Sequence, residues 1–83
     1  MMLVPLYGFL KGDSIGLVLL VQDHDTVADV AACLQEAAAC RVAPKPVAHV
    51  FRDGRRLDPE LTVTQAGLQA LDRVDVITED APP

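Results

Sequence analysis

The segment Val50–Val76, VFRDGRRLDPELTVTQAGLQALDRVDV, decides the fold of this chain. Its Asp53-Gly54 dipeptide is typical of a tight turn between two antiparallel strands. The residues before the turn, Val47–Phe51, predict a strand, and Arg55–Leu57 after it predicts a short one. The first part of the segment therefore indicates a β-hairpin.

The rest of the segment predicts a short helical turn and a final strand. Thr62–Leu68 is expected to form the turn, which Gly67 stops. In Arg73–Thr78, apolar residues alternate with mostly polar ones, as in a strand with one buried face. The spacing of these features resembles the second half of ubiquitin-like domains.

Upstream of this segment, the sequence predicts a β-hairpin. Leu3–Leu10 is apolar and ends at a polar, glycine-containing turn, Lys11–Ser14. Ile15–Gln22 follows and is rich in residues that favour strands. Pro5 falls near the start of the first strand, where proline is tolerated.

A helix is predicted to follow this hairpin. Thr26 or Asp25 can cap its N-terminus, and Asp29 would complete a capping box with Thr26. Arg41 is expected near the negative end of the helix dipole. One apolar stripe at helical spacing would face the core, formed by Val27, Val30, Ala31, Leu34 and Ala38.

The predicted order is strand, strand, helix, strand, short strand, turn, strand. This order indicates an α+β fold of the β-grasp (ubiquitin-like) type, with a mixed sheet of four or five strands and one main helix on one face. The 83 residues suit one domain, 1–83, with an ordered core over about 3–79. A domain this small has little room for a pocket of its own, so we expect no small-molecule ligand.

Composition and charge argue against several classes of partner. The net charge is −5, and no basic stripe is present, so neither nucleic acid nor an anionic membrane is expected. Arg52, Arg55 and Arg56 form the densest basic group. They can be either the solvated end of a hairpin or a patch for an acidic partner.

The two cysteines are predicted to be free thiols. Cys33 and Cys40 would lie on one helix with Cα atoms about 10 Å apart, beyond the reach of a disulfide. Free thiols suit a reducing cytoplasm, and the N-terminus does not resemble a signal peptide. A cytoplasmic location is therefore expected.

No catalytic, cofactor-binding or metal-binding residue is predicted. The histidines and cysteines lack metal-ligand spacing, and His24 and His49 are expected to be a solvated loop residue and a sheet residue. Conjugated modifiers and sulfur carriers need a terminal Gly-Gly, whereas the sequence ends Ala81-Pro82-Pro83. A modifier role is therefore not expected.

The second predicted strand has apolar residues on both faces. Leu17, Leu19 and Val21 would point one way, and Val18 and Leu20 the other. A helix covers only one face of such a sheet, so the other would expose a large apolar patch, which usually marks an interaction surface. Alternatively, strand twist and the loop over residues 53–73 could cover part of this face.

The whole chain resembles the small (gamma, or B) subunit of toluene and related aromatic or alkene monooxygenases, the bacterial multicomponent di-iron type. The resemblance spans residues 4 to 80, although a ubiquitin-like hairpin at Asp53-Gly54 departs from the pattern. Its more specific parts are the acidic helix start and the segment that follows the helix. The matching stretches are Val4–Phe9, Gly12-Asp13, Leu17–Val21, Asp25–Ala31, Arg41–Pro44, Thr62–Leu68 and Val74–Val76.

This resemblance implies a non-catalytic structural subunit without iron or substrate pocket. It would dock on the large hydroxylase subunit, which holds the di-iron centre, beside a second hydroxylase subunit. The complex would oxidise aromatic hydrocarbons or alkenes with O₂ and electrons from NADH. The alternative is a free-standing ubiquitin-like adaptor. The predicted interface consists of Val18, Leu20, Arg41, Val42, Ala43 and Pro44.

Overall fold

One helix packs on one face of a five-stranded sheet in the computed structural model, which describes residues 2–80. The predicted tail Ala81-Pro82-Pro83 lies outside the described residues. The sheet order is β2-β1-β5-β3-β4; β1 and β5 run parallel and the other neighbours antiparallel. The elements are β1 Leu3–Leu10, β2 Gly16–Gln22, α1 Val27–Ala37, β3 Val47–Arg52, β4 Arg55–Arg56 and β5 Arg73–Glu79.

This arrangement confirms the predicted mixed sheet of the β-grasp type. The predicted strands all form, although β4 is one residue shorter than expected, because Leu57 lies outside it. Asp53 and Gly54 both adopt positive φ, which the tight turn between β3 and β4 requires. In Thr62–Leu68, the Ala66 N–H donates to the Thr62 carbonyl at 2.8 Å, and Gly67 ends this single turn with φ 76°.

Strand β1 has a neighbour on both sides although it contains Pro5. The Tyr7 N–H donates to the Asp72 carbonyl at 2.9 Å, so odd-numbered residues of β1 direct their backbone groups towards β5. Pairing with β5 begins only at Tyr7, so the nitrogen of Pro5 lies beyond the paired residues. The missing N–H therefore costs the sheet no hydrogen bond.

The capping box of α1 forms as predicted. The Asp29 N–H donates to Thr26 Oγ1 at 3.1 Å, and the Thr26 N–H donates to Asp29 Oδ2 at 3.0 Å. These two bonds satisfy N–H groups that have no partner within the helix. The Thr26 N–H also holds the pKa of Asp29 below its ordinary value.

The C-terminal end of α1 differs from the prediction. The helix ends at Ala37, so Cys40 and Arg41 lie beyond it rather than in its last turn. Tight turns follow instead, in which the N–H groups of Arg41 and Val42 both donate to the Ala38 carbonyl at 2.9 Å. They direct Arg41 towards Asp13, so its main contact is a carboxylate and not the helix dipole.

The core lies between α1 and the inner face of the sheet. Every residue of the predicted helix stripe is buried in it. Leu34 is 1% exposed, and its methyl groups pack over Gly8, where a Cβ would lie 3.0 Å from one of them. The buried core residues are Val4, Leu6, Leu10, Leu19, Val21, Val27, Val30, Ala31, Leu34, Ala38, Val50, Val63, Leu68, Val74 and Val76.

Within residues 2–80, α1 is the only helix, and its 11 residues are too few to cross a membrane.

Candidate docking face

The face of the sheet opposite α1 carries an exposed apolar patch on β1 and β2. Register brings its members together, since Leu20 pairs with Pro5 and Val18 with Tyr7. Val18 is 56% exposed and Leu20 64% exposed. We call this surface the outer patch; it consists of Leu3, Pro5, Tyr7, Val18 and Leu20.

Charged side chains of β5 lie at one border of the outer patch. Arg73 lies over the Phe9 ring, with its guanidinium carbon 4.1 Å from the ring centroid. It also donates to Asp75 Oδ1 at 3.0 Å. Gly16 faces Phe9 across the strand pair, and a Cβ there would lie 2.5 Å from the ring. Arg73 therefore covers Phe9 and places charged groups beside the outer patch.

The loop over residues 53–73 does not cover Val18 and Leu20 on this face, contrary to the alternative considered above. The loop packs at the end of the sheet, where the Leu71 N–H donates to the Pro5 carbonyl at 2.6 Å. It leaves Val18 and Leu20 exposed. The Leu71 backbone therefore lies beside Pro5, and the Leu71 side chain is 55% exposed.

Leu71 is strained as well as exposed. Its φ is 65°, a left-handed conformation that costs a residue with a Cβ about 1–2 kcal/mol. Strained backbone often occurs at functional sites, where the surrounding structure maintains it. Sequence reasoning missed this residue, because no local pattern around an isolated leucine indicates a positive φ.

Substitutions at Leu71 measure this strain. Leu71→Gly is expected to be about 1 kcal/mol more stable than Leu71→Ala, since both remove the side chain but only glycine adopts this φ freely. At the exposed strand residue Leu3, the same two substitutions should show the opposite order. Urea denaturation of the four variants gives both differences. Equal stabilities at position 71 would show that the backbone there is unstrained.

The predicted interface residues occupy two separate regions. Val18 and Leu20 lie in the outer patch, whereas Arg41–Pro44 lies beyond the helix end. Within that segment Val42 packs against the core, and Ala43 and Pro44 are exposed. Arg41 connects the segment to the turn between β1 and β2.

Arg41 and Asp13 form a close ion pair. The Arg41 Nε–H and Nη2–H groups donate to the Asp13 carboxylate at 3.0 and 2.9 Å, and the Asp13 side chain is only 2% exposed. These hydrogen bonds hold the pKa of Asp13 below its ordinary value of 3.8 and raise that of Arg41. Arg41 therefore ties the segment after the helix to the β1–β2 turn.

This ion pair should make stability depend on pH in the acid range. Because the pKa of Asp13 is lower in the folded state, its stabilisation is complete above 3.8 and is lost as pH falls through the folded value. The Asp13→Asn variant should therefore be less stable than the unmodified chain at pH 6, and this difference in the free energy of unfolding should shrink below about pH 4. Denaturation from pH 2 to 6 measures it. Arg41→Gln should remove the same contribution, so the double variant Asp13→Asn, Arg41→Gln should be little less stable than either single variant. If its loss of stability equals the sum of the two single losses, the pairing is refuted.

The remaining candidate residues are held in local contacts. Arg52 donates to the Gly67 carbonyl at 3.0 Å and pairs with Asp72 at 3.2 Å, so it connects β3 to the loop before β5. Arg55 and Arg56 are exposed at the hairpin end. His49 lies in β3 with its Nε2 3.0 Å from Glu79 Oε1.

The thiols lie in different environments. Cys33 is half-buried against the core, and this burial raises the pKa of its thiol. Cys40 is exposed, with its Sγ 3.5 Å from Arg41 Nη1. Within residues 2–80, no three His, Cys, Asp or Glu side chains lie together as possible ligands of a metal ion.

The chain has a ubiquitin-like fold. It is similar to Caldiarchaeum subterraneum ubiquitin, with a TM-score of 0.75 at 20% identity over 99% of this chain and 100% of that one. It is also similar to a chain in a structure concerned with molecular mimicry of SUMO in DNA repair. There the TM-score is 0.75 at 23% identity, over 89% of each chain.

The family is narrower than the fold. A family model described as toluene-4-monooxygenase system protein B (TmoB) matches residues 3–77, and the chain belongs to this family. A chain of a toluene 4-monooxygenase HD complex with the inhibitor 4-bromobenzoate shares its fold. The TM-score is 0.86 at 22% identity, over 94% of this chain and 100% of that one. A search of curated protein sequences gave no match.

Proposed function

We propose that this chain is a non-catalytic structural subunit of a multicomponent di-iron monooxygenase hydroxylase that oxidises aromatic hydrocarbons or alkenes. The observation that carries the proposal is the family match over residues 3–77. The similar chain in a toluene 4-monooxygenase complex supports it through shared fold. The chemistry belongs to the partner in this proposal, and the di-iron centre lies in the large subunit rather than in this chain.

We further propose that the chain docks on the large subunit through the outer patch. Exposed leucine, valine and tyrosine side chains on one sheet face are unfavourable in water and become favourable when a partner covers them. Leu71 supports this location, because this exposed residue has a strained backbone that is hydrogen-bonded to Pro5 of the patch. The Arg41–Pro44 segment is proposed as a second contact with the hydroxylase.

Native affinity purification of the tagged chain from its host tests this function. Mass spectrometry and iron analysis of the eluate should find a large iron-containing hydroxylase in stoichiometric amount. Oxidation of toluene by the eluate, with NADH and the electron-transfer components supplied, should confirm the type of reaction. Recovery of an iron-free monomer alone would contradict the proposal and favour a free-standing ubiquitin-like adaptor in the cytoplasm.

A further inference from the structure

The two edges of the sheet are built in opposite ways. β4 has two residues, both arginines, and short charged edges resist pairing with other strands. β2 has seven residues, GLVLLVQ, with no charge, no proline and no residue that would block an incoming strand. An open apolar edge invites aggregation unless a partner covers it. This contrast indicates that β2 meets another chain.

Backbone groups of β2 are directed outwards at this edge. The Asp23 N–H donates to the Met2 carbonyl at 3.0 Å, so Met2 and Asp23 are a hydrogen-bonded pair of the antiparallel ladder. Hydrogen-bonded pairs alternate along such a ladder. Val18 pairs with Tyr7 and Leu20 with Pro5, and both pairs fall at the positions of the ladder that are not hydrogen-bonded. Their N–H and C=O groups therefore point away from β1.

The charge at the end of this edge identifies the kind of strand that fits. The Gln22 N–H also points outwards, and it donates to Asp25 Oδ2 at 2.8 Å. This carboxylate occupies the edge after Leu20. A strand added along β2 would meet free backbone groups at Val18 and Leu20 and the acidic side chain of Asp25 beyond them. A basic residue at that end of the strand would complement this carboxylate.

A second copy of this chain fits the edge less well. Two copies would each carry a net charge of −5. Like charges brought together at an interface oppose association. The charges thus favour a different chain over self-pairing.

We infer that β2 accepts an extended segment of a hydroxylase subunit as a sixth strand, through the backbone groups of Val18 and Leu20. This segment has apolar residues at alternate positions, which continue the outer patch, and a basic residue facing Asp25. Main-chain hydrogen bonds give such strand addition its affinity, and side chains give it specificity. The inference rests on the proposed function, since it specifies how this chain docks.

Replacing a single backbone N–H by an ester oxygen tests the inference without altering a side chain. The full chain can be assembled from synthetic fragments joined at Cys33, with an ester at Leu20. Loss of one main-chain hydrogen bond should weaken binding to the purified hydroxylase lacking this subunit about fivefold. An ester at Val18 should have a similar effect. Arg56 provides the matched control, because its N–H also points outwards, at the opposite edge.

The outcomes separate the two proposals. Weaker binding by both β2 esters and unchanged binding by the Arg56 ester would support strand addition. Unchanged binding by all three esters, with normal binding by the unmodified chain, would overturn strand addition and leave the proposed function intact. An unmodified chain that does not bind the hydroxylase would refute both. Self-association that the Leu20 ester abolishes, seen by sedimentation, would overturn the inference in favour of a second copy.

Discussion

Leu34→Ala is expected to lower the free energy of unfolding by about 3 kcal/mol, the largest stability change that we predict. The residue is 1% exposed and lies at the centre of the helix stripe, against Gly8. Glycine at that position lets the helix approach the sheet closely, so shortening Leu34 leaves a cavity that nearby side chains cannot readily fill. For a chain of 83 residues, whose total stability is about 4–12 kcal/mol, this is a large fraction.

Leu20→Ala is the matched control, because it removes the same atoms at an exposed site. Leu20 is 64% exposed in the isolated chain, so its truncation should change stability by less than about 0.5 kcal/mol. Urea denaturation of both variants, followed by circular dichroism, measures the two changes. Similar losses at the two positions would contradict the assignment of the outer patch as free surface.

The helix and its core face could be predicted because local and long-range requirements coincide there. Apolar residues at helical spacing define one face of α1, and the Thr26–Asp29 box marks its start. Each of these signals lies within a few residues of the next. Successive side chains of a strand point to opposite faces, so the face on which each residue of β2 lies could be predicted as well. The exposure of Val18 and Leu20 followed from this alternation.

Features that depend on distant contacts could not be predicted in this way. The alanine-rich sequence allows α1 to continue to Cys40, and the bond between Arg41 and Asp13, 28 residues apart, lies beyond any local pattern. The same holds for Leu71, whose left-handed backbone is held by a bond to Pro5. Both misses involve loops, where tertiary contacts rather than propensity determine the conformation.

Leu20→Asp is expected to weaken binding to the hydroxylase at least about 100-fold while leaving the chain folded. Burial of a leucine side chain contributes about 1.5–3 kcal/mol, and covering a carboxylate without a partner adds a further cost. Val18→Asp should act similarly, since the two side chains are neighbours on one face of β2. Titration of each variant against the hydroxylase lacking this subunit, by surface plasmon resonance, gives the affinities.

Ala28→Asp is the matched control for the added charge. Ala28 is exposed in the first turn of α1, on the opposite side of the molecule, where an acidic residue is favourable for the helix. This variant should bind the hydroxylase as the unmodified chain does. If Ala28→Asp abolishes binding and Leu20→Asp does not, the helix side of the chain is the docking face. Because neither substitution alters a buried residue, such a result would relocate the interface without bringing the fold into question.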